Sequence, residues 1–216
     1  MIPLHPKDQE YFDCYPAPIM QMLQENHFTN INSTITFFGP MLYFMVRAFL
    51  CQKVLEIGTA EGYTSFYLSS AVKANAIRNN YSNAMFYGLD ICQTKKTSDN
   101  LTALGLPNEI MTLDSIELDK ETFKDIQFDF IFQDGAHDKE HVLHEFKVLW
   151  PQLRGNGLGY FVMHDVMGPS ADGYALVNGY VKQEGIKLQN VILDDGIYGL
   201  AILRKMEDYS ERRYPY

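Results

Sequence analysis

Cysteine is scarce in this chain: Cys14, Cys51 and Cys92 are the only three among 216 residues. They are odd in number, far apart and form no CxxC pair. That excludes a zinc ribbon and a disulfide framework, and it predicts free thiols in a reducing compartment. Positive charge is also in short supply, with 18 Lys and Arg against 27 Asp and Glu, a net charge of -9. Such a chain repels phosphate backbones, so nucleic acid is disfavoured as a partner. The basic pairs Lys95-Lys96 and Arg212-Arg213 are too short to reverse this. No apolar run is long enough to cross a bilayer, because the longest, Phe37 to Leu50, is broken by Gly39-Pro40 and Arg47. Residues Met1 to Asp8 contain no apolar signal core. Together these absences predict a cytoplasmic protein with neither a membrane nor a nucleic-acid partner. Internal repeats and flexible linkers are missing too, which points to one domain.

What is present is an alternation of short apolar strands with helices. Strands are expected at Lys53–Ile57, Met85–Ile91, Glu109–Leu113, Phe128–Phe132, Leu158–Met163, Val191–Leu193 and Leu200–Leu203. Helices are expected from Met41, opened by Gly39-Pro40, and at Thr64–Ala76, Lys95–Leu104, Lys139–Trp150 and Leu176–Gln183. Asn75 to Asn83 reads as a polar surface loop, and Gly168 to Gly173 as an inserted loop. The pattern predicts an α/β fold, Rossmann-like and doubly wound, with a mostly parallel seven-stranded sheet and a C-terminal antiparallel hairpin. Residues 1–36 read as an N-terminal extension with a helix at Ile19–Asn26, and residues 37–216 as the domain proper.

Ligands of open parallel sheets bind beyond the carboxyl ends of the strands. In this chain every central strand ends in or beside a carboxylate: Glu56, Asp90, Asp114, Asp134 and Asp165. Turns favour Asp and Gly in any case, yet five strands in succession exceed that background. The first loop, Gly58-Thr59-Ala60-Glu61-Gly62, is a glycine loop between a strand and a helix. It is not G-x-G-x-x-G, since Ala60 holds the middle position, and it lacks the lysine of a phosphate-binding loop. Glu56 would repel a pyrophosphate and suit a cation. S-adenosylmethionine carries an ammonium group and no phosphate, and Asp90 is placed to take the two hydroxyls of a ribose.

With these motifs in view, the chain resembles the class I S-adenosylmethionine-dependent methyltransferases, and within them the small O-methyltransferases of the catechol and macrocin type. The likeness runs from about Phe38 to Arg204. It rests on Val54 to Gly62, Tyr87 to Asp90, Leu113-Asp114-Ser115, Phe128 to His137 and Gly157 to Val166. The resemblance implies S-adenosylmethionine as cofactor, touched by Glu56, Gly58, Ala60, Gly62, Thr64, Asp90, Ile91, Asp114, Ser115 and Asp134. Phe38-Gly39-Pro40 falls where the family's N-terminal helix meets the methionine end of the cofactor. The resemblance also implies a Mg2+ ion held by Asp134 and Asp165, with His137 as general base toward a small hydroxylated acceptor.

Two departures from the family pattern stand out. Position 164 is His where many relatives carry an acid, so His164 is a metal ligand, a base or a donor behind the ligands. The catalytic lysine of the catechol type has no counterpart. His137, His141 and His144 share helical spacing but do not make H-E-x-x-H, which disfavours a zinc protease. Alternatives are a metal-independent methyl transfer to nitrogen or carboxylate, a non-catalytic cofactor-binding protein, and a nicotinamide oxidoreductase, the last opposed by Ala60. A homo-oligomer is compatible with the apolar N-terminal segment.

Overall fold

The computed structural model describes residues 35–92, 94–194 and 198–206. The expected helix at Ile19–Asn26 and the pair Arg212-Arg213 lie outside them. In chain order the elements are α1 (Ile35–Ala48), β1 (Lys53–Ile57), α2 (Tyr63–Asn79), β2 (Met85–Asp90), α3 (Thr94–Ala103), β3 (Glu109–Thr112), β4 (Phe130–Gln133), α4 (Lys139–Leu149), β5 (Tyr160–His164), α5 (Ala171–Glu184), β6 (Leu188–Leu193) and β7 (Leu200–Lys205). Short 3-10 turns cover Ser115–Glu117 and Gly168–Ser170. The seven strands form one sheet in the order β3-β2-β1-β4-β5-β7-β6. Strands β1 to β5 pair parallel, and β7 pairs antiparallel with both β5 and β6. The expected architecture is therefore the observed one.

Period-two alternation sorts the side chains onto two faces. Val54, Phe86, Phe130, Phe132 and Val162 join a core with Phe38, Leu42 and Val46 of α1 and Leu68 and Val72 of α2. Leu55, Ile57, Leu89, Ile131, Phe161 and Met163 face Phe146, Leu149 and Trp150 at α4, and Val177 and Val181 of α5. Burial on both faces makes the central strands near-continuous apolar runs, the property that made them readable.

Three expectations are corrected. Helix α1 starts at Ile35, so Pro40 lies inside it rather than at its opening. A proline in a helix interior costs about 3 kcal/mol in isolation. Here packing outweighs that cost: α1 presses on α2 so closely that a Cβ on Gly39 would stand 2.7 Å from the Tyr67 ring. The Asn75–Asn83 segment is helical as far as Asn79. Asn75 is fully buried, and its Nδ2 donates to the Val46 carbonyl at 2.9 Å and the Cys51 carbonyl at 2.8 Å. Arg47 donates to its Oδ1. Asn75 thus ties the end of α1 to the residue that leads into β1, a use that composition alone conceals. The segment from Gly168 to Gly173 is a 3-10 turn running into α5, which begins five residues earlier than expected. Gly173 brings α5 against Val142 of α4, whose side chain lies 2.9 Å from where a Cβ would be.

The lower end of the sheet is tied by one carboxylate. Asp129, only 2% exposed, accepts from the backbone N–H groups of Gln52 at 2.6 Å and Lys53 at 3.0 Å and pairs with Arg154 at 2.7 Å. Its neighbour Phe128 bridges to Leu153, so β4 proper starts two residues later than expected. Burial also pushes the nearby Cys51 thiol far up, with Asp129 adding to the shift, so this free cysteine stays inert. Asp129→Ala leaves two partly buried amides without an acceptor and Arg154 without its partner, and chemical denaturation should show a loss of about 3 kcal/mol. A loss below about 1 kcal/mol would mean that water replaces the carboxylate there.

Candidate active site

The strand order reverses between β1 and β4, and the loops after these two strands diverge above that point. A crevice at such a switch point is where α/β sheets take ligands. Two loops meet there very closely. Gly58 has φ +86°, and a Cβ on it would lie 2.2 Å from the Asp134 carbonyl oxygen. Only glycine serves at this position, for both conformation and space. The amide of Gly58 donates to the Leu89 carbonyl at 2.8 Å, and the amide of Asp134 to the Ile57 carbonyl at 2.9 Å. Ala60, also left-handed at φ 42°, donates its amide to Asp90 Oδ2 at 2.7 Å. The Cys92 amide donates to Asp90 Oδ1 at 3.0 Å. Asp90 is thereby fixed in orientation at the mouth of the first loop.

Above these loops lies an open cleft of about 400 Å³. Of the cofactor residues expected from sequence, Gly58, Ala60, Asp90, Ile91, Asp114, Ser115 and Asp134 line it. Glu56, Gly62 and Thr64 do not. Gly62 caps the start of α2 at φ 90°, and Thr64 is buried in its first turn. Glu56 is 1% exposed and accepts from Ser65. Burial drives its carboxyl well above the usual range, the Ser65 bond holds it down, and Asp134 and Asp90 push it up further.

The second part of the site adjoins the cleft through Asp134. One ligand atom each from Asp134, His164 and Asp165 lie within 4.8 Å of one another. His164 Nδ1 is 2.9 Å from Asp134 Oδ1 and 3.4 Å from Asp165 Oδ1. The His164 side chain is 7% exposed, edge-on to the Phe38 ring. Asp165 stands just after β5 at φ 55°, a left-handed conformation that Asp tolerates better than most residues. Its other oxygen, Oδ2, is 2.8 Å from His137 Nδ1. His137 is half exposed, and its pKa is raised mainly by the bond to Asp165, against desolvation. The structure therefore brings together all four residues singled out for chemistry: His137, Asp134, His164 and Asp165.

Sequence reasoning missed the polar support beneath these loops. Glu145 of α4 is fully buried, and Gln133 at the end of β4 donates to it. Burial pushes the Glu145 carboxyl up to about 7, against hydrogen bonds from Ser115 and Gln133 that lower it. Its signal was there to read: it lies within the apolar stripe of Val142, Phe146 and Leu149. His141 also lines the cleft without having been assigned to it, and Leu113, within the matched segment Leu113-Asp114-Ser115, lines it as well.

Comparisons with known proteins bear on the family and the fold. The sequence matches the model of a family described as a methyltransferase domain over residues 55–166, 112 of its 216 residues. No curated protein matches it in sequence. Among solved structures, it is similar to an O-methyltransferase from Bacillus cereus in complex with S-adenosylhomocysteine, with a TM-score of 0.62, 18% identity, and coverage of 95% of this chain and 93% of that one. It is also similar to TomG from Streptomyces achromogenes, an O-methyltransferase in complex with S-adenosylmethionine, with a TM-score of 0.63, 15% identity, and coverage of 95% and 92%. The S-adenosylhomocysteine-bound methyltransferase PaMTH1 of Podospora anserina gives a TM-score of 0.64 at 14% identity, with coverage of 96% and 99%. At these identities the likeness is one of fold. Among the described residues no helix is long and apolar enough to cross a membrane.

Because the folded pKa of Glu145 lies above the ordinary carboxyl value of 4.5, its stabilising share is complete below pH 4.5 and is lost as pH rises through about 7. A Glu145→Gln variant should lack this slope. Between pH 5 and pH 8 the wild type should lose on the order of 3 kcal/mol relative to the variant, measured by urea denaturation at each pH. Parallel curves for the two proteins would contradict the buried, proton-holding carboxyl.

Proposed function

The chain belongs to the methyltransferase-domain family, and from that membership we propose that it moves the methyl group of S-adenosylmethionine to a hydroxyl oxygen of a small molecule beside a divalent metal. The observation that carries this reading is the position of Asp134. It lines the cofactor cleft and also belongs to the cluster with His164 and Asp165. Methyl donor and acceptor would then meet at one residue, and such positioning is the main catalytic need of an in-line transfer.

The donor set fits a divalent cation. Two carboxylates satisfy a hard ion such as Mg2+, and the imidazole nitrogen of His164 extends the fit to Mn2+ and its transition-metal neighbours. Asp134, His164 and Asp165 would hold the ion, which supplies positive charge that lowers the pKa of a hydroxyl beside it. The protein's own groups supply the rest. Asp90, oriented by the Ala60 and Cys92 amides, keeps lone pairs for the ribose hydroxyls. Asp165 accepts from His137 Nδ1 and fixes that tautomer, leaving Nε2 to take the acceptor's proton. As the oxygen–methyl bond forms and the sulfur–methyl bond breaks, the proton lost by the hydroxyl ends on His137. Glu56, buried near the first loop, is the carboxyl expected to face the ammonium group.

One contact favours a second reading. His164 Nδ1 lies within hydrogen-bonding distance of Asp134, so an imidazolium could balance the carboxylates without an ion. The acceptor could then be a nitrogen or a carboxylate. Metal titration separates the two readings. In calorimetry, Mn2+ or Mg2+ should bind the wild type, and Asp134→Asn should weaken that binding by at least about tenfold, since even groups behind the ligands are worth that much. No binding of either ion by the wild type would reject the metal. For the base, labelled methyl transfer to a panel of phenols and sugar alcohols should drop about 100-fold or more in His137→Ala. S-adenosylhomocysteine binding should be unchanged in that variant. Equal transfer by the variant would remove His137 from the mechanism.

A further inference from the structure

His141 is the middle member of the histidine series at 137, 141 and 144, and the chemistry above makes no use of it. Its ring lies between two loops. Nε2 is 3.2 Å from Asp114 Oδ1, on the segment after β3. Nδ1 is 2.7 Å from Asp138 Oδ2, at the N-cap of α4. The His141 amide also donates to Asp138 Oδ1 at 3.1 Å, so Asp138 is anchored to the helix. An imidazole with a carboxylate on each nitrogen is best served by a proton on both, and the two acids raise its pKa accordingly. The side chain is 24% exposed and lines the cleft.

Asp114 needs such a partner. Its own loop gives it one bond, from the Ile116 amide at 3.2 Å to Oδ1, and its side chain is 47% exposed. Left to that bond alone, the carboxylate would sample other rotamers. Two further contacts brace the same segment from α4: His144 Nε2 with the Leu118 carbonyl at 2.7 Å, and buried Glu145 with Ser115. Helix α4 therefore holds the turn after β3 through three side chains at helical spacing, and only His141 among them reaches the cleft.

Asp90 marks the ribose end of the cleft. Ile91 and Leu113 line the same cleft with apolar side chains, as Asp114 does with its carboxylate. A flat base seated between such side chains would present its edge to an acceptor, which selects an exocyclic amine over a carbonyl. We infer that His141 is a positioning residue for nucleobase recognition: it pins the Asp114 carboxylate so that the cleft prefers the 6-amino purine of S-adenosylmethionine to a 6-oxo purine. This inference rests on the cofactor reading above.

Calorimetry on the full chain tests it without knowledge of the acceptor. Dissociation constants are measured for S-adenosylhomocysteine and its inosine analogue with wild type, His141→Ala and His141→Gln. The wild type should prefer the adenine compound. His141→Ala should weaken adenine binding by about tenfold, the scale of a charge-assisted hydrogen bond, and leave the inosine compound nearly unchanged. His141→Gln, which keeps a donor toward Asp114, should recover part of the preference. If His141→Ala weakened both compounds equally, or neither, the inference would be overturned and His141 would be a structural brace only. A wild type that bound neither compound would reject the cofactor reading itself, and this inference with it.

Discussion

The contact between Gly58 and the Asp134 carbonyl sets the geometry of the whole upper surface. At the switch point between β1 and β4 two loops must part, yet here they start with backbone against backbone. No side chain can intervene, so the first loop is forced to turn sharply. That turn presents the Ala60 amide to Asp90 and sets the start of α2. It also holds Asp134 where the cleft ends and the cluster with His164 and Asp165 begins. A protein that needs two reactants side by side gains from this arrangement, because one rigid junction places the donors for both.

Below that junction, rigidity comes from buried polar groups rather than from apolar packing alone. Asp129 fastens β1 to the start of β4, and Lys205 lies under Trp150 with its ammonium on the carbonyls of Trp150 at 2.8 Å and Leu153 at 3.0 Å. Gln133 and Glu145 join the end of β4 to α4. Each is costly to bury and is retained with partners, as polar groups in cores must be. The result is a sheet whose β4 end is hydrogen-bonded to α4, the helix that carries the braces to the turn after β3.

Much of this was readable in the chain. The strand-ending acids were visible because a parallel strand announces itself as an apolar run and its successor residue is then known. The segment from Phe128 to His137 named both Asp134 and His137 by that logic. Where the reading failed, a distant partner had overridden a local preference. Pro40 sits within a helix because α2 packs there, and Asn75 is buried because the end of α1 needs its amide. Glu145 is buried in α4 because Gln133 at the end of β4 donates to it.

The sequence by itself determined the doubly wound sheet, the glycine loop and the set of acids at the strand ends, since period-two burial and turn chemistry are properties of neighbouring residues. Which of those acids would meet was decided only in three dimensions. Asp134 and Asp165 lie 31 positions apart in the chain and converge on His164 because β4 and β5 pair in register, Gln133 beside Met163. Asp114 draws close to His141 because α4 crosses back over the turn after β3. Convergence of this kind depends on strand order and helix packing, which act through space and leave no mark on local spacing.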